Sequence, residues 1–366
     1  MTVAILLVGI ALASVLFHAL SPWWLTPLAS NWHQMDATLI ITLWISAIVF
    51  VAIVLFIAYA LVRFRYRPER RAAYEPENKK LEWWLIGLTS VGIVAMLVPG
   101  LYVWAEFVDI PKDALTVEAV GQQWQWSFRF SGQDGRMGTA DTELIKPDNP
   151  LGLFPGNPFG QDDILVQGSE VHLPLGRPVK VLLRAKDVVH DFYVPHFRVK
   201  MDAVPGMVSR LWFTPTKTGR FELACAEYCG VGHHTMRGLV VVEEEAAFQA
   251  WLKTQPTFAQ SMSKAAAGTG DGLAARGRDL AQARGCLGCH SVDGSPSAGP
   301  TWKGLYGKTE TLANGSTVVV DDDYLKQSIS DPNAMIVQGY SPVMPPYNFS
   351  GEELDALIAY TRDLSK

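Results

Sequence analysis

All four cysteines of this chain lie in two short segments whose residue types and spacing suit metal chemistry. In the first segment, Cys229, His233 and Met236 place a thiolate, an imidazole and a thioether at the spacing C-x3-H-x2-M. Soft sulfur ligands together with imidazole favour copper, and a weak thioether ligand is typical of copper sites that transfer electrons. Cys225 adds a second thiolate four residues before Cys229. Because two thiolates on one loop can bridge two copper ions, the segment predicts a binuclear centre whose ions share one electron.

A second imidazole must come from another part of the same domain, and His190, which follows a predicted strand, is the candidate. His234 is the alternative to His233 as the histidine of the loop. A disulfide between Cys225 and Cys229 is the competing interpretation, but it leaves the coincidence of so many potential ligands unexplained. A zinc site would give the methionine no purpose.

The second segment, Cys286-x-x-Cys289-His290, has the spacing that attaches haem through two thioether bonds while the histidine coordinates iron. Thioredoxin-like dithiols also contain Cys-x-x-Cys, so the spacing alone is not specific. An exported location, a predicted preceding helix and a downstream methionine favour haem. Met344 is the candidate sixth ligand, since a His/Met pair raises the haem potential, and Met335 is the alternative.

Length and charge limit the classes of protein to which this chain can belong. The chain has 366 residues, with 31 basic and 36 acidic side chains and no long run of one sign. The length exceeds that of one small module and indicates two or three domains. The near balance of charge gives no support for nucleic-acid binding.

Two apolar stretches near the N-terminus predict a transmembrane hairpin over residues 35–107. Residues 38–62 and 85–103 contain no charged side chain, and about 20 apolar residues suffice to span the hydrocarbon core. Lys and Arg side chains are concentrated in the connection between them, and such loops stay in the cytoplasm. The chain after about residue 105 is therefore expected outside the cytoplasm, where c-type haem is normally attached.

Residues 1–20 form a third apolar stretch with two interpretations. They are either a signal peptide or an additional transmembrane helix. No Lys or Arg precedes the apolar run, and no small-x-small cleavage site is convincing. We expect that the segment is retained.

The exported part begins with short β-type runs, which predict an antiparallel sandwich or barrel over residues 112–253. The predicted strands cover residues 115–120, 124–130, 164–167, 179–183 and 238–242. A surface loop is expected over 147–160, where Gly, Pro and Asn are frequent, and a short helix near 248–252 closes the domain.

A second exported domain is expected over residues 273–366, after a flexible linker over 254–272 that is rich in small and polar residues. Residues 272–284 predict a helix just before the haem motif. A capping box from Ser350 to Glu353 predicts the start of a final amphipathic helix.

Residues 35–250 resemble subunit II of the haem–copper oxidases. In that subunit a membrane hairpin precedes a cupredoxin domain with the binuclear CuA centre. The matching residues are Trp124 in the Trp-x-Trp motif, His190, and the loop from Cys225 to Met236. The resemblance implies that copper is bound by the side chains of His190, Cys225, Cys229, His233 and Met236.

The same resemblance implies three further roles. The backbone carbonyl of Glu227 ligates one copper, and its carboxylate reaches a magnesium or manganese ion shared with subunit I. Trp124, expected to be an exposed aromatic near the copper, is the point at which electrons enter. Glu82 matches a carboxylate that opens a proton path into subunit I, although residues 87–90 lack the proline that is common there.

Residues 273–366 resemble a class I cytochrome c domain, in which Tyr360 of the last helix packs near Gly277 of the first. The expected fold is therefore multidomain: a transmembrane helical hairpin with a possible third helix, an all-β cupredoxin sandwich, and an all-α cytochrome c domain. This combination resembles subunit II of a caa3-type cytochrome c oxidase with a fused cytochrome c.

The resemblance implies an electron-input subunit of an oxidoreductase, with no catalytic residue for oxygen chemistry in this chain. Its expected partners are subunit I, subunit III and an external electron donor. The expected location is the bacterial inner membrane, crossed more than once, with both metal domains on the periplasmic side. The same role in a nitric oxide reductase that uses CuA, and a membrane-anchored carrier acting alone, are the alternatives.

Overall fold

The computed structural model describes residues 1–21, 26–71, 74, 76–146, 148–266 and 272–366. The chain forms two compact units, residues 1–110 and 111–366. The first unit contains long apolar helices, and the second contains both segments with metal-binding spacing.

Three helices of the first unit are long and apolar enough to cross a membrane: α1 (Thr2–Leu20), α2 (His33–Arg63) and α3 (Lys79–Val108). Many of their large apolar side chains are exposed, which is typical of surfaces that lipid covers. The predicted hairpin is confirmed as α2 and α3, and the third apolar stretch forms α1. Whether residues 1–20 are retained in the mature protein stays a prediction.

Two five-stranded sheets form the sandwich of the second unit. Its strands are β1 (Leu115–Gln122), β2 (Gln125–Phe130), β3 (Ile164–Gln167), β4 (Glu170–Pro174), β5 (Val179–Ala185), β6 (His190–Val194), β7 (Val199–Ala203), β8 (Ser209–Phe213), β9 (Gly219–Cys225) and β10 (Arg237–Glu243). The strand order is β3-β2-β1-β5-β8 in one sheet and β4-β10-β9-β6-β7 in the other. In β5 alternate residues are buried, as expected for a strand with one face on the core.

The five strands expected from the sequence are confirmed within a few residues at each end, but β4 and β6 to β9 were not anticipated. Each of these five strands carries charged or polar residues among its apolar ones; β7, for example, reads Val-Lys-Met-Asp-Ala. Their apolar residues are too few to stand out as local runs, and pairing with neighbouring strands stabilises them instead.

The loop 147–160, whose first residue lies outside the described part of the chain, was expected to be a surface loop. That expectation is wrong for its middle, because Leu151 and Leu153 are buried. They belong to a small apolar cluster that also contains Leu165 and Phe258. The loop therefore contributes to the core at one end of the sandwich.

The expectation of a flexible linker over 254–272 is also wrong for most of its described residues. After α4 (Glu245–Leu252), the chain forms α5 (Phe258–Ala266). The N–H of Leu165 donates to the carbonyl of Pro256 at 2.9 Å, and the N–H of Phe258 donates to that of Asp163 at 2.8 Å. Phe258 and Met262, four residues apart, pack into the same apolar cluster and hold α5 on the sandwich. Residues 267–271 lie outside the described part of the chain.

The C-terminal domain contains α6 (Gly272–Ala283), a small hairpin of β11 (Thr309–Thr311) and β12 (Thr317–Val319), α7 (Asp322–Ser330) and α8 (Gly351–Asp363). The predicted helix before the haem motif and the capping box at Ser350 are both confirmed. Helices α6 and α8 approach closely at Gly277, where a Cβ atom would lie 1.9 Å from the carbonyl oxygen of Ala356 and 2.9 Å from Cβ of Tyr360. The expected proximity of Gly277 and Tyr360 is therefore confirmed.

Candidate copper centre and haem cleft

The first candidate site is the loop between β9 and β10, two neighbouring antiparallel strands. Cys225 ends β9, and Met236 immediately precedes β10. The N–H of Cys225 donates to the carbonyl of Met236 at 3.1 Å, which closes the neck of the loop. Sheet pairing thus brings the first and last candidate ligands together.

Within this loop the candidate ligand atoms converge. The Sγ atoms of Cys225 and Cys229 are 3.7 Å apart, and Cys229 Sγ lies 3.5 Å from Nδ1 of His233 and 3.8 Å from Sδ of Met236. The carbonyl oxygen of Glu227 lies 3.2 Å from Cys225 Sγ. Both cysteines are free thiols, and the alternative of a disulfide does not hold, since its S–S bond would be about 2.05 Å.

His190, at the start of β6, completes the cluster. Its side chain is fully buried, and candidate ligand atoms of His190, Cys225 and Cys229 all lie within 4.8 Å of one another. Nδ1 of His190 is buried and makes no hydrogen bond of acceptable geometry among the described residues. A buried polar atom without a partner costs about 1–3 kcal/mol. This nitrogen, aimed at two thiols, therefore fits a copper ligand.

A carboxylate orients the His190 ring, and sequence reasoning missed it. Nε2 of His190 lies 2.8 Å from Oδ1 of Asp187, which also accepts from the backbone N–H of Val188. Burial opposes ionisation of Asp187, but hydrogen bonds from His190 and from the N–H groups of Gln123 and Val188 outweigh it, so its pKa lies below the usual value. An ionised Asp187 selects the His190 tautomer in which Nδ1 keeps its lone pair.

We expect Asp187→Asn to weaken copper binding by roughly 10–100-fold, because the loss of a ligand-orienting carboxylate typically has that cost. Copper retained after dialysis against graded chelator concentrations measures the effect. Asp148→Asn, at an exposed loop position, is the control and should retain copper as the unmodified chain does. Equal retention by Asp187→Asn would contradict the orienting role.

The two thiols differ in their readiness to ionise. A hydrogen bond between the sulfur atoms lowers the pKa of Cys225 and raises the pKa of Cys229. The pair therefore loses its first proton more readily than its second. A cation bound between them would replace the remaining proton, as is general for thiolate ligands.

The second candidate site is a cleft in the C-terminal domain around the Cys286-x-x-Cys289-His290 motif. Nδ1 of His290 donates to the carbonyl of Pro300 at 2.8 Å, which leaves Nε2 as the free ligand atom. Burial lowers the pKa of His290, so the ring is neutral, as an iron ligand must be. Gly299 lies against the ring, since a Cβ there would be 2.7 Å from His290 Cε1. The residues present therefore fit covalently attached haem.

Both candidate methionines line this cleft. Met335 also packs against the core cluster of the domain, which includes Leu325 and Leu357, whereas Met344 is not part of that cluster. The assignment of Met344 as the sixth ligand stays a prediction, and the packing of Met335 favours it.

Replacement of Met344 by alanine is expected to abolish the weak long-wavelength Fe–S charge-transfer band of a His/Met haem, because a sulfur ligand is lost from the iron. Absorption spectroscopy of the oxidised protein measures the band. Met335→Ala should retain it. Persistence of the band in Met344→Ala, with its loss in Met335→Ala, would move the assignment to Met335.

Trp124 lies between the two candidate sites, and the expectation that it is exposed is wrong. Only 7% of its surface is exposed. Its Nε1–H donates to the carbonyl of Cys229 at 3.1 Å, and a Cβ on Gly232 would lie 2.3 Å from the indole ring. Trp124 also lines the haem cleft, and a Cβ on Gly288 would lie 2.6 Å from its backbone carbonyl oxygen. The haem-motif loop covers the residue that the sequence placed at the surface.

The remaining candidates are not brought into a cluster. Among the described residues, the only group of three or more His, Cys, Asp or Glu side chains close enough to hold a metal is the one at His190, Cys225 and Cys229. The carboxylate of Glu227 is exposed, and so is Glu82 in the first turn of α3. The magnesium or manganese site and the proton path stay predictions.

Comparison with known families agrees with this division of the second unit. Residues 115–244 match the family model described as cytochrome c oxidase subunit II, periplasmic domain, and residues 274–365 match the one described as cytochrome c. The two matched ranges contain all of the candidate copper and haem ligands.

Individual relatives extend the similarity beyond these two ranges. An alternative cytochrome c oxidase subunit 2 from Bradyrhizobium diazoefficiens is 57% identical over 259 residues, which make up 71% of this chain and 94% of the relative. Cytochrome c oxidase subunit 2 of Alkalihalophilus pseudofirmus is 28% identical over 326 residues, 86% of this chain and 83% of the relative. Among solved structures, the periplasmic domain of subunit II of cytochrome oxidase from Bradyrhizobium japonicum is 31% identical, with a TM-score of 0.30, and covers 40% of this chain and 96% of that structure.

The family implies copper at the first site and haem c at the second, and the ligand atoms described above fit both. Subunit II is part of a haem–copper oxidase complex together with subunit I, and the apolar helices anchor the chain in a membrane. The chain has high sequence identity to a relative that it covers almost completely, and family models match both of its domains. This chain therefore belongs to the cytochrome c oxidase subunit II family and carries a cytochrome c domain at its C-terminal end.

Proposed function

We propose that this chain is the electron-input subunit of a caa3-type cytochrome c oxidase. In this role an external redox protein supplies electrons to the haem c domain, which passes them to the CuA domain and on to subunit I, where O2 is reduced to water. The supporting observation is the position of Trp124. This residue is hydrogen-bonded to the copper loop and also lines the haem cleft.

The groups bound at these sites supply one-electron redox chemistry, and the residues of the chain hold their ligands still. Asp187 orients His190, and the Pro300 carbonyl orients His290. The hydrogen bond at the neck of the copper loop joins the ends of two paired strands. Ligands held in this way move little when an electron arrives or leaves, and a small reorganisation favours fast transfer.

The proposal includes a contact with subunit I near Glu227. Its carbonyl faces the sulfur of Cys225, whereas its carboxylate is exposed and can reach a magnesium or manganese ion that subunit I shares. Subunit III and the external donor complete the set of proposed partners. We place the complex in the bacterial inner membrane, crossed more than once, with both metal domains in the periplasm, and we propose Glu82 as the start of a proton path.

Turnover of the purified native complex tests this function. With a chemical electron donor, we expect rapid O2 consumption and little NO consumption, recorded in parallel on electrodes. Rapid NO consumption without O2 uptake would assign the complex to nitric oxide reduction instead. Activity toward neither gas, without a copurifying haem-containing subunit, would indicate a carrier that acts alone.

A further inference from the structure

Two glutamines that flank Trp124 in sequence join the sandwich to the C-terminal domain. Nε2 of Gln122 donates to the carbonyl of Ala283 at 3.1 Å, and Nε2 of Gln125 donates to the carbonyl of Gln282. Both glutamines are 7% exposed. The accepting carbonyls are in the last turn of α6, where a helix leaves carbonyl groups without intrahelical partners. The carbonyl of Gln282 also accepts from the N–H of Gly285, just after the helix, at 3.2 Å. The side-chain amides therefore cap the helix that leads directly into the haem motif.

The orientation of one amide is set from within the sandwich. Nζ of Lys186 donates to Oε1 of Gln122 at 2.5 Å. Because the lysine can only donate, the Gln122 oxygen must face it, and the NH2 group must face α6. Lys186 thus prepares Gln122 as a hydrogen-bond donor toward the other domain.

The backbones of the two domains also approach closely on either side of Cys286. A Cβ on Gly285 would lie 2.5 Å from the carbonyl oxygen of Gln123, and one on Gly288 would lie 2.6 Å from that of Trp124. The haem motif is therefore seated directly on the sandwich, and glycines provide the space.

Each of the contacts described between the two domains is made by uncharged groups, namely side-chain amides, backbone carbonyls and glycine backbone, whereas the Lys186 ammonium contacts Gln122 from within the sandwich. Salt screens charged contacts between proteins strongly, whereas uncharged hydrogen bonds respond little. The connection between the domains is also short. Only residues 267–271 separate α5, which is packed on the sandwich, from α6 in the sequence.

We propose that Gln122 and Gln125 hold the haem c domain in one docked position over Trp124, independently of salt, so that external donors reach the copper centre only through this domain. The inference rests on the proposed electron-input function and adds to it a positioning role for two neutral side chains. It also assigns the external docking surface to the C-terminal domain, since Trp124 is already covered by its own chain.

The test uses the complete complex with Gln122→Glu, Gln125→Glu and the double variant. Glutamate has nearly the same shape as glutamine, and at position 122 it keeps the contact with Lys186, but at either position it presents an acceptor oxygen to an α6 carbonyl. Gln133→Glu, at an exposed turn beyond the far end of β2, introduces the same charge and is the matched control. The haem absorption spectrum and the copper EPR signal of every variant verify that both sites are intact.

The quantity measured is the rate of haem c reoxidation after reduction by a photoexcited ruthenium(II) complex. In the unmodified chain and the control we expect a rate that does not change between about 0.01 M and about 1 M salt, over which the Debye length falls from roughly 30 Å to roughly 3 Å. In the double variant we expect a rate at least about tenfold lower, because two hydrogen bonds become repulsive contacts.

A steep salt dependence in the unmodified chain, or an unchanged rate in the double variant, would overturn the docking proposal alone. Absence of any internal reoxidation in the unmodified chain would instead refute the electron-input function. If the glutamate variants do not assemble, the double variant Gln122→Ala with Gln125→Ala is compared with the unmodified chain by the same reoxidation rate. The salt dependence of the rate in the unmodified chain tests the docking proposal without any variant.

Discussion

Replacement of Cys225 by serine is expected to remove the shared-electron EPR signal of the copper centre and to lower oxidase turnover by more than about 100-fold. This loss is larger than the roughly 10–100-fold cost that is typical when a residue that only orients a metal ligand is replaced. Cys225 is the residue whose sulfur faces Cys229, the Glu227 carbonyl and His190 together. A serine hydroxyl is a hard, protonated ligand that cannot bridge two copper ions as a thiolate does. The variant should bind one copper ion or none.

EPR spectroscopy and copper quantification of the purified variant provide the measurement. The haem absorption spectrum of the same sample is the internal control, since Cys286 and Cys289, the predicted haem attachment residues, lie in a separate domain and should be unaffected. A multiline signal from two equivalent copper ions in Cys225→Ser would refute the binuclear assignment.

Trp124→Ala is expected to slow electron transfer from haem c to the copper centre by at least about tenfold, because small misplacements of reacting groups have costs of this size or larger. The change removes the indole ring, whose N–H donates to the carbonyl of Cys229 at 3.1 Å, from a residue that lines the haem cleft. The candidate haem and copper ligands themselves remain. Flash-induced reoxidation of haem c measures the rate.

Tyr228→Ala is the control for this experiment. Tyr228 is also an aromatic residue beside the candidate copper ligand Cys229, but 74% of its surface is exposed. Its removal should leave the internal rate unchanged, since it does not line the haem cleft. A slow rate in Tyr228→Ala with a normal rate in Trp124→Ala would transfer the role to the exposed residue.

Together, these predictions distinguish residues that bind a cofactor from residues that connect the two cofactor sites. Cys225 belongs to the first role and should alter the EPR signal. Trp124, Gln122 and Gln125 belong to the second, and their variants should keep both spectra while the internal rate falls. The distinction follows from the contacts: none of the three has a candidate ligand atom in the copper cluster, and all three touch the C-terminal domain or its cleft.

The sequence by itself determined those features of this protein that depend only on residues close together in the chain. The ligands between Cys225 and Met236, and the haem motif from Cys286 to His290, lie within a dozen residues or fewer, so chain connectivity keeps them together in any fold. The membrane helices follow from uninterrupted apolar runs, and the capping box at Ser350 follows from hydrogen bonds three residues apart.

Only the tertiary structure decided how these elements are joined. A glutamine on a strand has the same local signal whether it faces water or the end of a helix, and Gln122 meets Ala283 across 161 positions of the chain. For the same reason Trp124 was expected at the surface and is buried, and the segment around Phe258 was expected to be flexible and is packed on the sandwich. Each of these outcomes depends on the surface that another part of the chain brings into contact, and that surface leaves no pattern in the residues around it.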